Sequence, residues 1–428
     1  MADRIDSLNE KLNLHISIID RCAVNLEKYG PILLSSPPDK RYPYFYPRDV
    51  ACATQLLRRL SISMYEVKDQ AFLLLKASAH FIRDVQREDG YWGQRYALNG
   101  EDKSIYKQED NIAHGIAICS NYLLAALERK DEVVDLESFL NVINKALEYA
   151  FSNCYRKELH LFYSTTSIHE SSLERGFTLW VNFTFLYAYS LAEEVAIKLD
   201  KNKTISPEHL KFKQHFRYSI EKLFIWSDRY VRRFNSEGQV DIRPDFTLLT
   251  PFYYGFGSMN TPHLKKSVEF LEQQLCDPEL GMIMRYLPFE GDFATHTHAG
   301  NGPWLQYTAI LAQYHYWYGD PARGDELLHM IDKYTNDSLE IPEHLSTYKR
   351  FEGFMEREWQ TGVDFAKEFD KEILMDNVTF DNILEEANNM RRAYTETEQK
   401  CVPQNSNYSE GGYAFFCLPL MWSHVEYA

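Results

Sequence analysis

Apolar residues return at spacings of three and four along almost the whole chain, the period that buries one face of an α-helix. The pattern predicts helices in "SLNEKLNLHISIIDRCAVNLEKYG", "DVACATQLLRRL", "DQAFLLLKASAHFIRDVQRE" and "NIAHGIAICSNYLLAALERK". Others are predicted at "LESFLNVINKALEYAF", "WVNFTFLYAYSLAEEVAIKL", "PEHLKFKQHFRYSIEKLFIW", "PHLKKSVEFLEQQLC", "PWLQYTAILAQYHYWYG", "PARGDELLHMIDKYTN", "FDNILEEANNMRR" and "FFCLPLMWSHVEY". Alternation of period two is nearly absent, with only "GYWGQRY" and "GMIMRYL" reading as short strands. The expected class is all-α.

No Gly/Ser-rich or Pro-rich linker divides the sequence, so residues 1–428 are read as one domain. No fixed-period repeat is visible, which disfavours a solenoid of near-identical units. Two arrangements remain open on periodicity alone: a closed double ring of helices, or an irregular helical array. Three connections, "RYPYFYPRDV", "IYKQEDN" and "SIHESSLERG", combine charge with aromatic or polar side chains where Gly/Ser filler is usual. In a ring, loops at one end converge on the axis and would build one pocket from distant segments.

Composition narrows what such a pocket holds. A formal net charge of -16 argues against nucleic acid or an anionic membrane as partner, since both need a basic face. Aromatic residues at 14%, with 29 Tyr, supply flat faces that also carry hydroxyls, suited to a neutral small ligand. The first residues, "MADRIDSLNEKLNLHISIIDRC", have no export-signal pattern, and no apolar run approaches a membrane span. Seven scattered cysteines without C-x-x-C pairing fit reduced thiols, so a cytoplasmic location is expected. No phosphate-binding glycine loop or nucleophile elbow occurs. "THTHAG", with His296 and His298, is too sparse for a metal site, and neither metal nor cofactor is expected.

Two carboxyls, one protonated and one ionised, suffice for acetal hydrolysis. Sixty-two Asp and Glu make candidates plentiful, so position has to discriminate. Glu343 in "SLEIPEHLS" sits in a turn stiffened by Pro342, beside apolar neighbours, either as a helix cap or as a working acid. Asp49 in "YPRDV" reads equally as an N-cap with Arg48 solvated, or as half of a unit gripping sugar hydroxyls. Gln108 and Asp110 in "YKQEDN" either begin a helix or match vicinal hydroxyls, with Trp92 and Tyr96 nearby to stack on a pyranose face. In "SIHESSLERG", Glu170 and Glu174 have equal local claims.

Several of these segments, in order from Tyr42 to the carboxyl terminus, resemble glycoside hydrolase family fifteen, the glucoamylase family. "YPYFYPRDV" looks like its aromatic segment ending in Arg-Asp, and "YKQEDNIAHGIAI" like its Gln-x-Asp at a ring helix. Arg285 in "GMIMRY" and Trp304 in "GNGPWLQYTAILAQ" are similar to its Arg-Tyr and Gly-x-Pro-Trp segments. "SIHES" followed by "RGFT" resembles the segment of the general acid, "LEIPEHLS" that of the base, and "PLMWSHVEYA" the terminal motif containing Trp422.

The resemblance implies an (α/α)6 barrel, a six-hairpin toroid, and so the closed ring. It implies Glu170 as general acid and Glu343 as general base, with Tyr42 or Tyr44 orienting the base. Arg48 and Asp49 would hold the terminal glucose, and Gln108, Asp110, His169, Arg285, Trp304 and Trp422 would bind substrate, with Trp92 stacking nearby. The implied activity is inverting, exo-acting hydrolysis of small α-1,6- or α-1,4-linked gluco-oligosaccharides with release of β-glucose. An α,α-trehalase, or a non-catalytic module like the glucoamylase-like domain of phosphorylase kinase subunits, is the alternative. Glu174 then becomes a support or surface residue paired with Arg175. Three departures stand out: His169 where the family has tryptophan, Ser171 where it has a second glutamate, and a long stretch at 346–415 read as an insertion or flap.

Overall fold

In the computed structural model the described residues are 2–132, 135–170, 174–200, 207–255, 261–287, 302–335, 338–351, 371–379, 381–385, 388, 398–400 and 412–428. Among the described residues, twelve helices alternate between an outer and an inner ring. The inner ones are α2 (Pro47–Ser61), α4 (Asp110–Arg129), α6 (Leu179–Lys198), the short α8 (Thr250–Tyr253), α10 (Leu305–Tyr318) and α12 (Met421–Tyr427). The outer ones are α1 (Ala2–Arg21), α3 (Lys68–Asp84), α5 (Leu136–Tyr149), α7 (Pro207–Leu223), α9 (Pro262–Leu275) and α11 (Pro321–Lys333). A 3-10 turn, Phe246–Leu249, leads into α8.

Inner helices pack in sequence, α2 on α4, α4 on α6, α6 on α8, and α10 on both the Phe246–Leu249 turn and α12. Contact between α12 and α2 closes the circle, which makes the fold an (α/α)6 toroid. The sequence explains the layering. Every residue of α4 from Asp110 to Ala126 is buried, as is α10 from Leu305 to Ala312, so these helices carry apolar or small residues all round. Outer helices such as α5 and α9 keep one buried stripe and a charged face.

Helix starts follow local chemistry. Pro47, Pro262 and Pro321 occupy first-turn positions, where the missing N–H costs nothing. The side chains of Thr178, Thr261 and Asp320 accept from backbone amides of their own first turns. Because outer helices return the chain, all six inner helices run the same way, and their amino-terminal ends meet at one mouth of the ring. Their unpaired N–H groups make that mouth favourable to carboxylates.

The two short strands expected at "GYWGQRY" and "GMIMRYL" are isolated bridges instead, Phe45 with Tyr96 and Met284 with Pro303 among them, because successive residues of each loop turn to different neighbours. The predicted last helix is shorter than its pattern: Tyr413–Phe416 is a strand, and α12 begins at Met421. That strand pairs with His344–Thr347 on one side and Glu398–Lys400 on the other. Of the 346–415 stretch, residues 371–375 pack on the loop at 105–107: Lys107 N donates to Ile373 O and Met375 N to Ile105 O. Of the helix predicted at "FDNILEEANNMRR", residues 381–385 and 388 are described and are helical; the others lie outside the described residues. No helix among them is long and apolar enough to cross a membrane.

Candidate active site

At the amino-terminal mouth a cavity is lined by residues from across the chain, including Tyr42, Arg48, Asp49, Glu170, Arg285, Trp304, Glu343 and Trp422. Eight of the residues singled out in the sequence therefore share one wall. Glu170 and Glu343, 173 positions apart in sequence, both face it.

Arg48 lies in the first turn of α2, whose N-cap is Tyr46, so Asp49 is not the cap and Arg48 is not solvated. Its guanidinium donates to Gln108 Oε1 (2.7 Å) and to Asp110 Oδ2 (3.3 Å). Asp110 also accepts from Trp180 Nε1 at 2.9 Å and has His114 Nε2 at 3.5 Å. Burial pushes the Asp110 carboxyl up, but the Arg48 charge, with His114 and Trp180, outweighs it and holds it near 2. Asp49 goes the other way: burial pushes it up to about 6, with the Glu343 and Glu170 carboxylates adding and Arg48 opposing. Gln108 and Asp110 are themselves fully buried and outside the cavity lining, a correction to their reading as direct sugar contacts. They brace Arg48 from behind.

Glu170 adopts a left-handed backbone, φ 56°, uncommon for a residue with a side chain. Its Oε1 accepts from Gln94 Nε2 (2.8 Å) and Gln108 Nε2 (2.9 Å). Two amide donors thus converge on one oxygen of this carboxyl. Gln94 was not singled out in the sequence; a glutamine in a Gly- and aromatic-rich loop was the available signal. Gln306 and Tyr307, also lining the cavity, gave none, because a buried ring helix reads simply as core.

Glu343 immediately precedes the strand His344–Thr347; its backbone O accepts from Leu305 N at the start of α10, while its carboxyl faces the cavity. Its backbone N donates to Phe416 O, and its Oε2 accepts from the Tyr42 hydroxyl at 3.1 Å. The terminal helix fastens this turn: Ser423 Oγ donates to Pro342 O (2.9 Å) and Ile341 N to His424 Nε2 (2.9 Å). His424 Nδ1 faces His15 Nδ1 at 2.7 Å, and burial lowers the pKa of both imidazoles. Tyr42, not Tyr44, touches Glu343; Tyr44 is outside the cavity lining, its ring under the Arg95 guanidinium (5.2 Å).

His169 and Trp92 are also displaced from the roles expected of them. His169 is buried behind the cavity, where Arg285 Nε donates to its Nδ1 (2.9 Å) and its Nε2 meets Asp245 Oδ2 (2.7 Å). An Nδ1 that accepts leaves the proton on Nε2, so this is a neutral imidazole donating to Asp245. Desolvation, opposed by Asp245 and Glu174, lowers its pKa. His169 thus aims Arg285, whose guanidinium lies 4.6 Å from the Trp304 ring, and does not itself reach the cavity. Trp92 is fully buried, donates to Ile82 O (2.8 Å), and presses on α4 at Gly115. A Cβ at Gly115 would stand 2.3 Å from the indole. Gly115→Ala is expected to cost about 1–3 kcal/mol by overpacking, seen as a lower melting temperature.

Glu174 is neither on the surface nor paired with Arg175. It is 2% exposed, accepts from His169 N (2.9 Å) and faces Arg232 Nη2 (3.4 Å), while Arg175 pairs with Glu372 at 2.7 Å. The two neighbours have separate partners, so adjacency misleads here. Ser171, His296 and His298 lie outside the described residues. Among those described, no group of three His, Cys, Asp or Glu stands close enough to hold a metal ion.

Trp422 lines the cavity with its ring and donates its indole N–H to Glu426 Oε1 (2.7 Å). Burial pushes the Glu426 carboxyl from 4.5 up to about 7, against hydrogen bonds from Tyr253, Trp422 and Gln313. The folded chain therefore keeps a proton that the unfolded chain releases, so this contribution is full below about pH 4.5 and lost as pH rises through about 7. Glu426→Gln is expected to flatten the melting temperature against pH across that window, removing a slope worth on the order of 3 kcal/mol.

No sequence-family description and no curated protein matches this chain. Solved structures do. A wild-type glycosidase superposes with a TM-score of 0.62 at 14% identity, over 100% of this chain and 96% of that one. A glycosidase variant in complex with glucose gives 0.61 at 13%, over 100% and 96%. The glucoamylase from Saccharomycopsis fibuligera gives 0.56 at 15%, over 99% and 93%. Across nearly its full length, this chain has the fold of glycosidases and glucoamylases.

Proposed function

We propose that this chain is an inverting, exo-acting α-glucoside hydrolase that releases β-glucose from the non-reducing end of small α-1,6- or α-1,4-linked gluco-oligosaccharides. The observation that carries this reading is the meeting of Glu170 and Glu343 in one cavity with Arg48, Asp49, Arg285 and Trp304. The fold it shares with glycosidases and glucoamylases, one of them bound to glucose, supports the same substrate class.

In this mechanism Glu170 donates a proton to the leaving glycosidic oxygen, while Gln94 and Gln108 hold its carboxyl through Oε1. Glu343 takes a proton from water attacking the opposite face of the anomeric carbon. The Tyr42 hydroxyl donates to Glu343 Oε2 and so fixes the orientation of the base. Arg48 and Asp49 receive the hydroxyls of the terminal sugar, with Arg48 fixed by Gln108 and Asp110. Tyr106 lines the cavity from the loop on which residues 371–375 pack, an arrangement that supports short substrates and the reading of 346–415 as an insertion over the pocket.

Incubation with maltose, isomaltose and trehalose tests the reading. Glucose is expected from isomaltose or maltose. Turnover of trehalose alone would move the assignment to a trehalase, and release from none of the three would contradict hydrolysis.

A further inference from the structure

A second cavity, of about 730 Å³, lies at the opposite mouth of the ring, lined by the carboxyl-terminal parts of the inner helices. That volume falls within the range of about 300–1,000 Å³ typical of small-ligand pockets. None of the residues assigned a role in hydrolysis lines it. Its lining combines aromatic faces with neutral hydrogen-bonding groups. Trp317 is 72% exposed and Tyr316 43%, large faces that the fold leaves uncovered. Inside, Gln55 Nε2 is a buried donor without a hydrogen-bond partner. A buried amide left unpaired is costly, and a ligand acceptor would satisfy it.

The charged groups of the lining are largely met within the protein. Arg58 donates to Glu128 (2.7 Å) and Glu194 (3.0 Å), Glu426 accepts from Trp422 and Gln313, and Arg59 is exposed at the rim. What remains available is the flat indole face of Trp317 and the amide donor of Gln55, a combination that suits a neutral polyhydroxylated ring. A chain with net charge -16 also disfavours an anionic ligand.

We infer that this cavity is a second, non-catalytic binding site for a neutral saccharide, with Trp317 as stacking platform and Gln55 as hydrogen-bond donor. The two sites are separated in the ring by the Trp422–Glu426 pair, whose ring lines one cavity and whose carboxyl lines the other.

The test uses the full chain labelled with 5-fluorotryptophan and carrying Glu343→Gln, so that the probe, maltotriose, is not consumed. The Trp317 fluorine resonance is assigned by its loss in Trp317→Phe. Maltotriose is expected to shift it saturably, and Gln55→Ala to weaken that binding about fivefold, the effect of one ordinary hydrogen bond, while the Trp304 and Trp422 responses stay unchanged. A Trp317 signal that does not move with maltotriose, or that moves with the same concentration dependence in Gln55→Ala, would overturn the inference. The readout does not depend on turnover, so a chain that fails to hydrolyse glucosides yet shows the Trp317 shift keeps this site and loses only the catalytic reading.

Discussion

Glu170→Gln is expected to lower hydrolysis of unactivated disaccharides by about 10²–10⁴-fold, the range for loss of a general acid, with little change in melting temperature. The substitution is nearly isosteric, and the amide oxygen still accepts from Gln94 and Gln108, so the left-handed turn at residue 170 keeps its partners. What disappears is the acidic proton. The deficit should therefore depend on the leaving group. A glucosyl fluoride, which departs without protonation, is expected to recover most of its rate in Glu170→Gln and little of it in Glu343→Gln. Equal losses on both substrates in both variants would remove the separate assignment of acid and base.

Arg48→Met is expected to cost both activity and stability. It removes the cation opposite Asp110, a carboxylate with no exposed surface, and breaking a buried pair from one side typically costs about 3–5 kcal/mol. In the native chain Asp110 is held near 2, so its contribution is present above the ordinary carboxyl range and lost as pH falls toward 2. Without Arg48 that carboxyl rises, and the variant's deficit in melting temperature should shrink on acidification. The double variant Arg48→Met with Asp110→Asn should regain much of the stability and none of the activity. Recovery of hydrolysis in the double variant would remove Arg48 from substrate binding.

Much of the ring was legible as helices and little of it as a ring. Periodicity identifies a buried face, but α6 and α10 are apolar all round and name no partner, so array and toroid look alike until α12 meets α2. The candidate site was legible where short motifs sit at helix starts, as with Arg48, Asp49 and Trp304. It was illegible where function depends on a second residue far away in sequence. The link from Arg232 through Asp245 and His169 to Arg285 is built from single side chains in separate loops, and no local pattern joins them. Trp92 reads as a stacking face because it is an aromatic near a candidate motif, and His169 as a sugar contact because it stands where the resembled family has tryptophan; both are buried on structural partners instead.

The central claim concerns stereochemistry, and proton NMR of the first glucose released from isomaltose or maltose, recorded before mutarotation, reads it directly. Attack of water from the face opposite the leaving oxygen, with Glu343 as base, predicts that β-glucose appears first and decays toward the equilibrium mixture. Initial release of α-glucose would contradict the assignment of Glu170 and Glu343 as an inverting pair.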